Sequence, residues 1–244
     1  MTADNSTTLY SEYFDENCHS TSGANAETDF NYVEGCEVIP KLEQDREATI
    51  FEVGYGLGIG ALRTYELTKK VEGKVHFISC ELDEGLIQWT IENDSHPLLK
   101  GLTARSSHGT HYYENSIEDF NLKIIVGDIR ETIINAKKDL SLPNFNAIYQ
   151  DAFSPKKNPA LWTTEWFMDL KSLSATDCVL STYSAAMPIR KSLLAAGWSV
   201  FKREGYGEKR STTIGRIEKE MNPEFLRNIE NSPEQTLNDK LLKK

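Results

Sequence analysis

Four glycines at alternate positions, Gly54, Gly56, Gly58 and Gly60, separate a short apolar run at residues 48–53 from a helix-like segment that begins at Ala61. The stretch FEVGYGLGIG, residues 51–60, therefore reads strand, tight turn, helix. Glycines lack the Cβ that keeps a backbone away from a ligand, and the free N–H groups at a helix start favour polar or anionic groups. A nucleotide-like cofactor is the expected occupant, with Gly54, Tyr55, Gly56 and Gly58 of the turn beside it.

Gly56 to Ala61 also satisfies the G-x-G-x-x-(G/A) dinucleotide fingerprint, so a nicotinamide or flavin cofactor stays open on this motif alone. Glu52 tips the choice. A carboxylate two residues before the first glycine would repel a pyrophosphate and suits the ammonium end of S-adenosylmethionine (SAM). In this respect E-x-G-x-G-x-G resembles the first motif of class I methyltransferases. The alternative for Glu52 is a solvated carboxylate at a strand end.

Residues 1–9 are polar, and residues 10–42 mix small polar residues with aromatics. The latter are expected to form a hairpin or flap over the glycine turn, or else a plain N-terminal extension. Residues 74–80 form a second strand ending at Glu81, about twenty residues past the glycines, where an acid can accept both ribose hydroxyls. A helix at 84–93 is stopped by Pro97. Residues 98–121 are weakly patterned and read as a polar insertion; His108 and His111 within it lack a nearby carboxylate or cysteine to complete a metal set. A third strand, 122–126, delivers Gly127 and Asp128; Asp128 is placed to bond an adenine amino group, to cap the next helix, or both. A fourth strand, 146–150, delivers Asp151. A helix capped by Thr163 or Thr164, a fifth strand at 178–183, a helix at 188–196 and a terminal hairpin, 198–202 with 211–217, complete the pattern. The order implies an α/β, Rossmann-like, mainly parallel doubly wound sheet with an antiparallel C-terminal hairpin and an N-terminal flap. The expected division is a flap at 1–42, a cofactor-binding domain at 43–217 and a charged tail at 218–244, helical or disordered.

At 39% hydrophobic residues the chain can build a sizeable core, and no apolar run approaches the ~18 residues of a membrane span. A soluble, cytoplasmic protein is expected, with no membrane partner. Cys18, Cys36, Cys80 and Cys178 form no C-x-x-C pair, which favours reduced, buried thiols. The net charge of −10 argues against nucleic acid, but residues 156–216 hold ten Lys and Arg against five Asp and Glu. Doublets such as Lys156-Lys157 and Lys209-Arg210 could track phosphates, or could be ordinary solvated residues.

Residues 151–162, DAFSPKKNPALW, are similar to the D-(A/G)-F-(A/S)-P-x-(K/R)-N-P-x-(M/L)-W signature of MnmC-type methyltransferases. GANAET, FEVGYGLG, FISCE, VGD, STYSAA with RKSLLAAGW, and GYGEKR match in the same order. The resemblance implies the class I methyltransferase fold, SAM as cofactor, and methylation of the amine of 5-aminomethyl-2-thiouridine at the tRNA wobble position, in the anticodon loop. It also implies that other enzymes install the aminomethyl group. With no oxidase half following, the chain looks like the stand-alone form, and the carboxymethyl-removing activity is expected to be absent. One departure stands out: the family usually has Asn where this chain has Gly60.

Within that resemblance Asp151 is the candidate catalytic residue. Alkylating an amine places positive charge on nitrogen, which a fixed carboxylate stabilises while orienting or receiving the amine proton. The alternative is a carboxylate that merely braces the turn before Pro155. Phe153 and Trp162 are expected to wall the pocket, to stack on the base, or simply to pack; Lys157 and Asn158 to hold the loop or a phosphate, Lys157 being otherwise a solvated surface residue; and Lys209 and Arg210 to track phosphates. No metal site is expected. Two further functional readings remain open, a SAM-dependent methyltransferase of another amine and a catalytically silent cofactor-binding protein.

Overall fold

The computed structural model describes residues 9–17, 23–207 and 210–242. The chain opens with a minimal hairpin, β1 (Tyr10–Ser11) and β2 (Glu16–Asn17). Then come α1 (Ala24–Thr28), a π-helical turn (Asp29–Glu34) and α2 (Val38–Asp45). The first half of the main sheet alternates β3 (Glu47–Val53), α3 (Ile59–Thr68), β4 (Lys74–Glu81), α4 (Glu84–Asn93) and the short α5 (Pro97–Lys100). After it run β5 (Thr103–Ser107), β6 (Thr110–Ile117), β7 (Phe120–Val126), α6 (Ile129–Asp139) and β8 (Phe145–Gln150). A 3-10 turn (Pro159–Trp162), α7 (Thr164–Ser172), β9 (Ser174–Thr182), α8 (Met187–Ala195), β10 (Ser199–Glu204), β11 (Ser211–Arg216), α9 (Pro223–Glu230) and α10 (Asp239–Leu242) complete it.

Among the described residues nine strands form one sheet in the order β10-β11-β9-β8-β3-β4-β7-β6-β5. The five central strands are parallel, and antiparallel pairs flank them on both sides. This is the expected doubly wound α/β sheet with its C-terminal hairpin. Alternate residues of β3 feed opposite faces: Phe51 and Val53 join one apolar layer with Ile133 of α6, Phe167 of α7 and Leu193 of α8. Ala48 and Ile50 join the other, with Leu42 of α2, Ala61 of α3 and Leu98 of α5. Such double-sided burial is what a parallel sheet needs.

Residues 98–121 differ from the polar insertion expected. Pro97 opens α5 rather than lying outside a helix, and the rest folds as an antiparallel hairpin extending the sheet beyond β7. β5 is almost wholly exposed, so no apolar alternation marks it. Its pairing is reinforced by charge, with Glu114 of β6 between Arg105 of β5 (3.2 Å) and Lys123 of β7 (2.5 Å). His111 engages the Glu84 carboxylate at 2.9 Å and the Arg105 carbonyl at 3.0 Å.

The chain after β11 returns across α8. Asn222 caps α9 by accepting from the amides of Glu224 and Phe225, and Ile229 is fully buried. The Thr164 amide donates to Leu237 O at 2.8 Å, and the Leu237 amide to Ser192 Oγ at 2.8 Å. Cys36, Cys80 and Cys178 are buried free thiols, and Cys18 lies outside the described residues. No described helix is long and apolar enough to cross a membrane.

Candidate active site

Parallel strands bring their C-terminal ends to one edge, and there the chain leaves a cavity of about 630 Å³. Gly54 after β3, Glu81 at the end of β4, Gly127 and Asp128 after β7, Asp151 after β8 and Tyr183 after β9 all line it. Gly54 has φ 100°, and a Cβ there would lie 3.2 Å from Asp151 O, so glycine lets the ends of β3 and β8 close together.

Glu81 is fixed by backbone. Its Oε2 accepts from the Gly56 amide at 3.0 Å and its Oε1 from the Asp83 amide at 3.0 Å. Burial pushes its carboxyl above the usual range, while these amides pull the other way. Asp128 Oδ1 caps α6 by accepting from the Arg130 amide at 2.9 Å, so its capping position also faces the cavity.

Asp151 is half-buried, and Tyr32 Oη donates to its Oδ1 at 2.5 Å. The loop after Asp151 is held from below. Trp162 is fully buried and its Nε1 donates to Phe153 O at 2.8 Å. Gln150, also buried, donates to Leu161 O at 2.7 Å and accepts from Trp166 Nε1 at 3.1 Å. Tyr183 Oη donates to Ala152 O at 3.0 Å. From above, the β1–β2 hairpin closes on the same loop. Phe14 stacks on Phe153 with centroids 4.5 Å apart, Asp15 pairs with Lys157 at 2.5 Å, and Glu16 accepts from the Ser154 amide at 2.9 Å.

The structure thus brings Gly54, Gly56, Glu81, Gly127, Asp128, Asp151, Phe153 and Asn158 together around one cavity. Other expected site residues lie elsewhere. Glu52 is 2% exposed, accepts from Ser79 Oγ at 2.7 Å, and sits beneath the glycine turn rather than in the cavity lining. A Cβ at Gly60 would fall 1.7 Å from Glu52 Oε1, so glycine at the start of α3 makes the space this carboxyl fills. Burial pushes the Glu52 carboxyl well above its ordinary range, and the charges of Asp151 and Glu81 add to the shift. Tyr55 is buried with Oη 3.0 Å from Thr90 Oγ1, and Gly58 takes φ 74° as the N-cap of α3. Trp162 supports the loop without facing the cavity.

The basic region is largely engaged within the molecule. Besides Lys157 with Asp15, Arg203 pairs with Glu34 at 3.3 Å and Arg216 with Glu37 at 2.6 Å. Arg190 is buried, with Nε donating to Thr213 Oγ1 at 3.0 Å. Lys156, Lys202 and Arg210 are exposed, and Lys209 lies outside the described residues.

Sequence reasoning missed the cavity residues contributed by α1 and the π-helical turn, chiefly Glu27, Asn31 and Tyr32. The signal for Glu27 was the GANAET segment, residues 23–28, which matched a motif but suggested no role; Asn31 and Tyr32 lie beyond it. With Glu16, Glu27, Glu81, Asp128 and Asp151 in its lining, the cavity is strongly acidic. Arg130 also lines it, but its guanidinium is held by Asp239 at 2.6 Å, Thr163 Oγ1 at 2.7 Å and Ala160 O at 3.0 Å. Such a lining suits a ligand carrying positive charge, and the glycine turn leaves room for the flat body of a nucleoside.

A family profile described as S-adenosyl-L-methionine-dependent methyltransferase matches residues 93–218, just over half the chain. The bifunctional protein MnmC of tRNA 5-methylaminomethyl-2-thiouridine biosynthesis from Paraburkholderia phymatum is 29% identical over 228 residues, covering 86% of this chain and 33% of that protein. Its namesake from Azoarcus sp. is 31% identical over 226 residues, covering 86% and 34%. The chain thus spans about a third of the length of these curated relatives. The crystal structure of MnmC2 from Aquifex aeolicus superposes with a TM-score of 0.74 at 26% identity, covering all of this chain and 79% of the other. Human methyltransferase-like protein 13, crystallised with SAH, shares the fold, with a TM-score of 0.54 at 16% identity over 89% of this chain and 98% of the other. An acidic, glycine-floored cavity at the C-terminal edge of a doubly wound sheet agrees with these findings: the chain belongs to the S-adenosyl-L-methionine-dependent methyltransferase family.

Proposed function

We propose that this chain methylates the primary amine of 5-aminomethyl-2-thiouridine at the wobble position of tRNA, giving the 5-methylaminomethyl nucleoside. The observation that carries the reading is Asp151 in an acidic cavity beside the glycine turn, in a chain whose relatives are named for 5-methylaminomethyl-2-thiouridine biosynthesis. When bound, SAM supplies an electrophilic methyl group on a sulfonium. Gly54, Gly56 and Gly127 would let the backbone approach it, Glu81 would accept from the ribose hydroxyls, and Asp128 would accept from the adenine amino group.

Asp151 acts on the acceptor. An alkylamine with a reference pKa of about 10 is mostly protonated at neutral pH, and only its neutral form is a nucleophile. The carboxylate orients the neutral amine and stabilises the positive charge that forms on nitrogen as the N–C bond forms, the S–C bond breaks and the neutral thioether leaves; it then accepts the proton that the methylated nitrogen sheds. Phe153, stacked beneath Phe14, walls the acceptor side, and Asn158 lines the cavity nearby. On this reading another activity supplies the aminomethyl group, and the protein works in the cytoplasm. Exposed Lys156, Lys202 and Arg210 are the described cations of the basic region best placed to meet phosphates.

Incubation with SAM and undermodified tRNA, followed by nucleoside mass analysis, should show one methyl group gained on the aminomethyl nucleoside. Transfer to a free amine but to no tRNA would overturn the substrate. The cofactor side has its own test. Glu81→Ala should weaken SAM binding about 10–100-fold by calorimetry, the loss of one or two hydrogen bonds to an ionised acceptor. Unchanged affinity would remove Glu81 from the cofactor site.

A further inference from the structure

Asp151 is braced from a part of the chain 119 residues away, where Tyr32 Oη donates to its Oδ1 at 2.5 Å. Tyr32 is 3% exposed, and its ring lies on that of Tyr149 with centroids 5.3 Å apart and planes 26° apart. Tyr149 is itself anchored, its Oη lying 3.1 Å from Thr64 Oγ1 on α3. The backbone of the π-helical turn is tied to β9, since Ser181 Oγ donates to Asn31 O. Ring and backbone are both fixed, so the phenol cannot swing away from the carboxylate without disturbing two layers of packing. Burial, and then the charge of Asp151, push the Tyr32 phenol well above its ordinary range, so it keeps its proton and serves as a donor.

We propose that Tyr32 is a positioning residue for methyl transfer: by bonding Oδ1 it fixes the rotation of the Asp151 carboxylate and favours its ionised form. The role rests on the catalytic reading of Asp151. A hydrogen bond to the charged form of an acid favours that form. The surroundings make such support useful, because they are rich in negative charge. Glu52 on β3 and Tyr183 after β9 both feel the charge of Asp151, and Glu16 and Glu27 act on Tyr183 from β2 and α1. In a cavity lined by Glu16, Glu27, Glu81 and Asp128, the Tyr32 hydroxyl gives the Asp151 carboxylate a neutral hydrogen-bond donor.

The test is a double-mutant cycle with Tyr32→Phe and Asp151→Asn, which separates action through Asp151 from an independent contribution. Tyr32→Phe keeps the stacked ring and removes only the hydroxyl. In the wild-type background kcat should fall about 10–100-fold, as expected for one hydrogen bond to an ionised group. The acid limb of kcat against pH should move to higher pH, since the carboxylate loses a group that favours its charged form. SAM affinity by calorimetry and the melting temperature should change little. In the Asp151→Asn background, adding Tyr32→Phe should change turnover by less than about 3-fold. Equal losses in both backgrounds, or a Tyr32→Phe variant with wild-type kcat and an unmoved acid limb, overturn the positioning role alone. An Asp151→Asn variant with wild-type turnover overturns the catalytic reading beneath it.

Discussion

Asp151→Ala should lower turnover on the proposed aminomethyluridine tRNA substrate by ~100-fold or more while leaving SAM affinity within a few-fold, the scale expected for loss of one positioned electrostatic or acid–base group. Asp151→Asn should recover little of it. Asparagine keeps the shape and can still accept from Tyr32 Oη, so the geometry seen at Oδ1 survives and only the charge is lost. Positive charge forming on the acceptor nitrogen then has no counter-charge, and the amine proton has no acceptor. A residue that merely braced the turn would give the opposite pattern, with Asn near wild type and Ala less stable. Single-turnover transfer of labelled methyl, with calorimetry for SAM, distinguishes the two.

Trp162→Ala should be the most damaging change to the fold near the site. The indole is fully buried, and large aromatic truncations in cores cost about 3–5 kcal/mol. For a chain of this size that corresponds to a fall in melting temperature of roughly 6–20 °C. Trp162→Phe is the informative partner. It keeps most of the packing but removes the 2.8 Å hydrogen bond to Phe153 O, leaving a carbonyl of the Asp151 loop without that donor at a cost of about 1–3 kcal/mol. Turnover should fall by more than the melting temperature suggests, because the loop that presents Asp151 and Phe153 loses a fixed point. A Trp162→Phe enzyme with full activity and a lowered melting temperature would confine the indole to packing.

The sheet was legible because the glycines and the strand-terminal acids each leave a local mark. Glu81, Asp128 and Asp151 could be assigned to one place without knowing any contact, since parallel strands align their C-terminal ends. What a strand end does not reveal is which side chains turn beneath it. Glu52 is the second-to-last residue of β3, with its carboxyl against Gly60 of α3, and its partner Ser79 is on the neighbouring strand. Tyr32 was invisible for another reason: it sits on an irregular π-helical turn with no periodicity, and its partner is 119 residues distant. Counting charge in a window of the sequence, as for the basic region, ignores acids elsewhere in the chain. Asp15, Glu34 and Glu37, all N-terminal, engage Lys157, Arg203 and Arg216. The β5–β6 hairpin escaped because an exposed edge held by cross-strand ion pairs carries no apolar rhythm.

The glycine at the start of α3 bears on how sites are carried between relatives. Because a Cβ at Gly60 would lie 1.7 Å from Glu52 Oε1, the two positions form a single steric unit. A relative with a side chain at the equivalent of Gly60 must send its glutamate along another path, so aligned glutamates at position 52 need not point at the same thing. Roles transferred column by column will be least secure here, and a library that varies either residue should vary both.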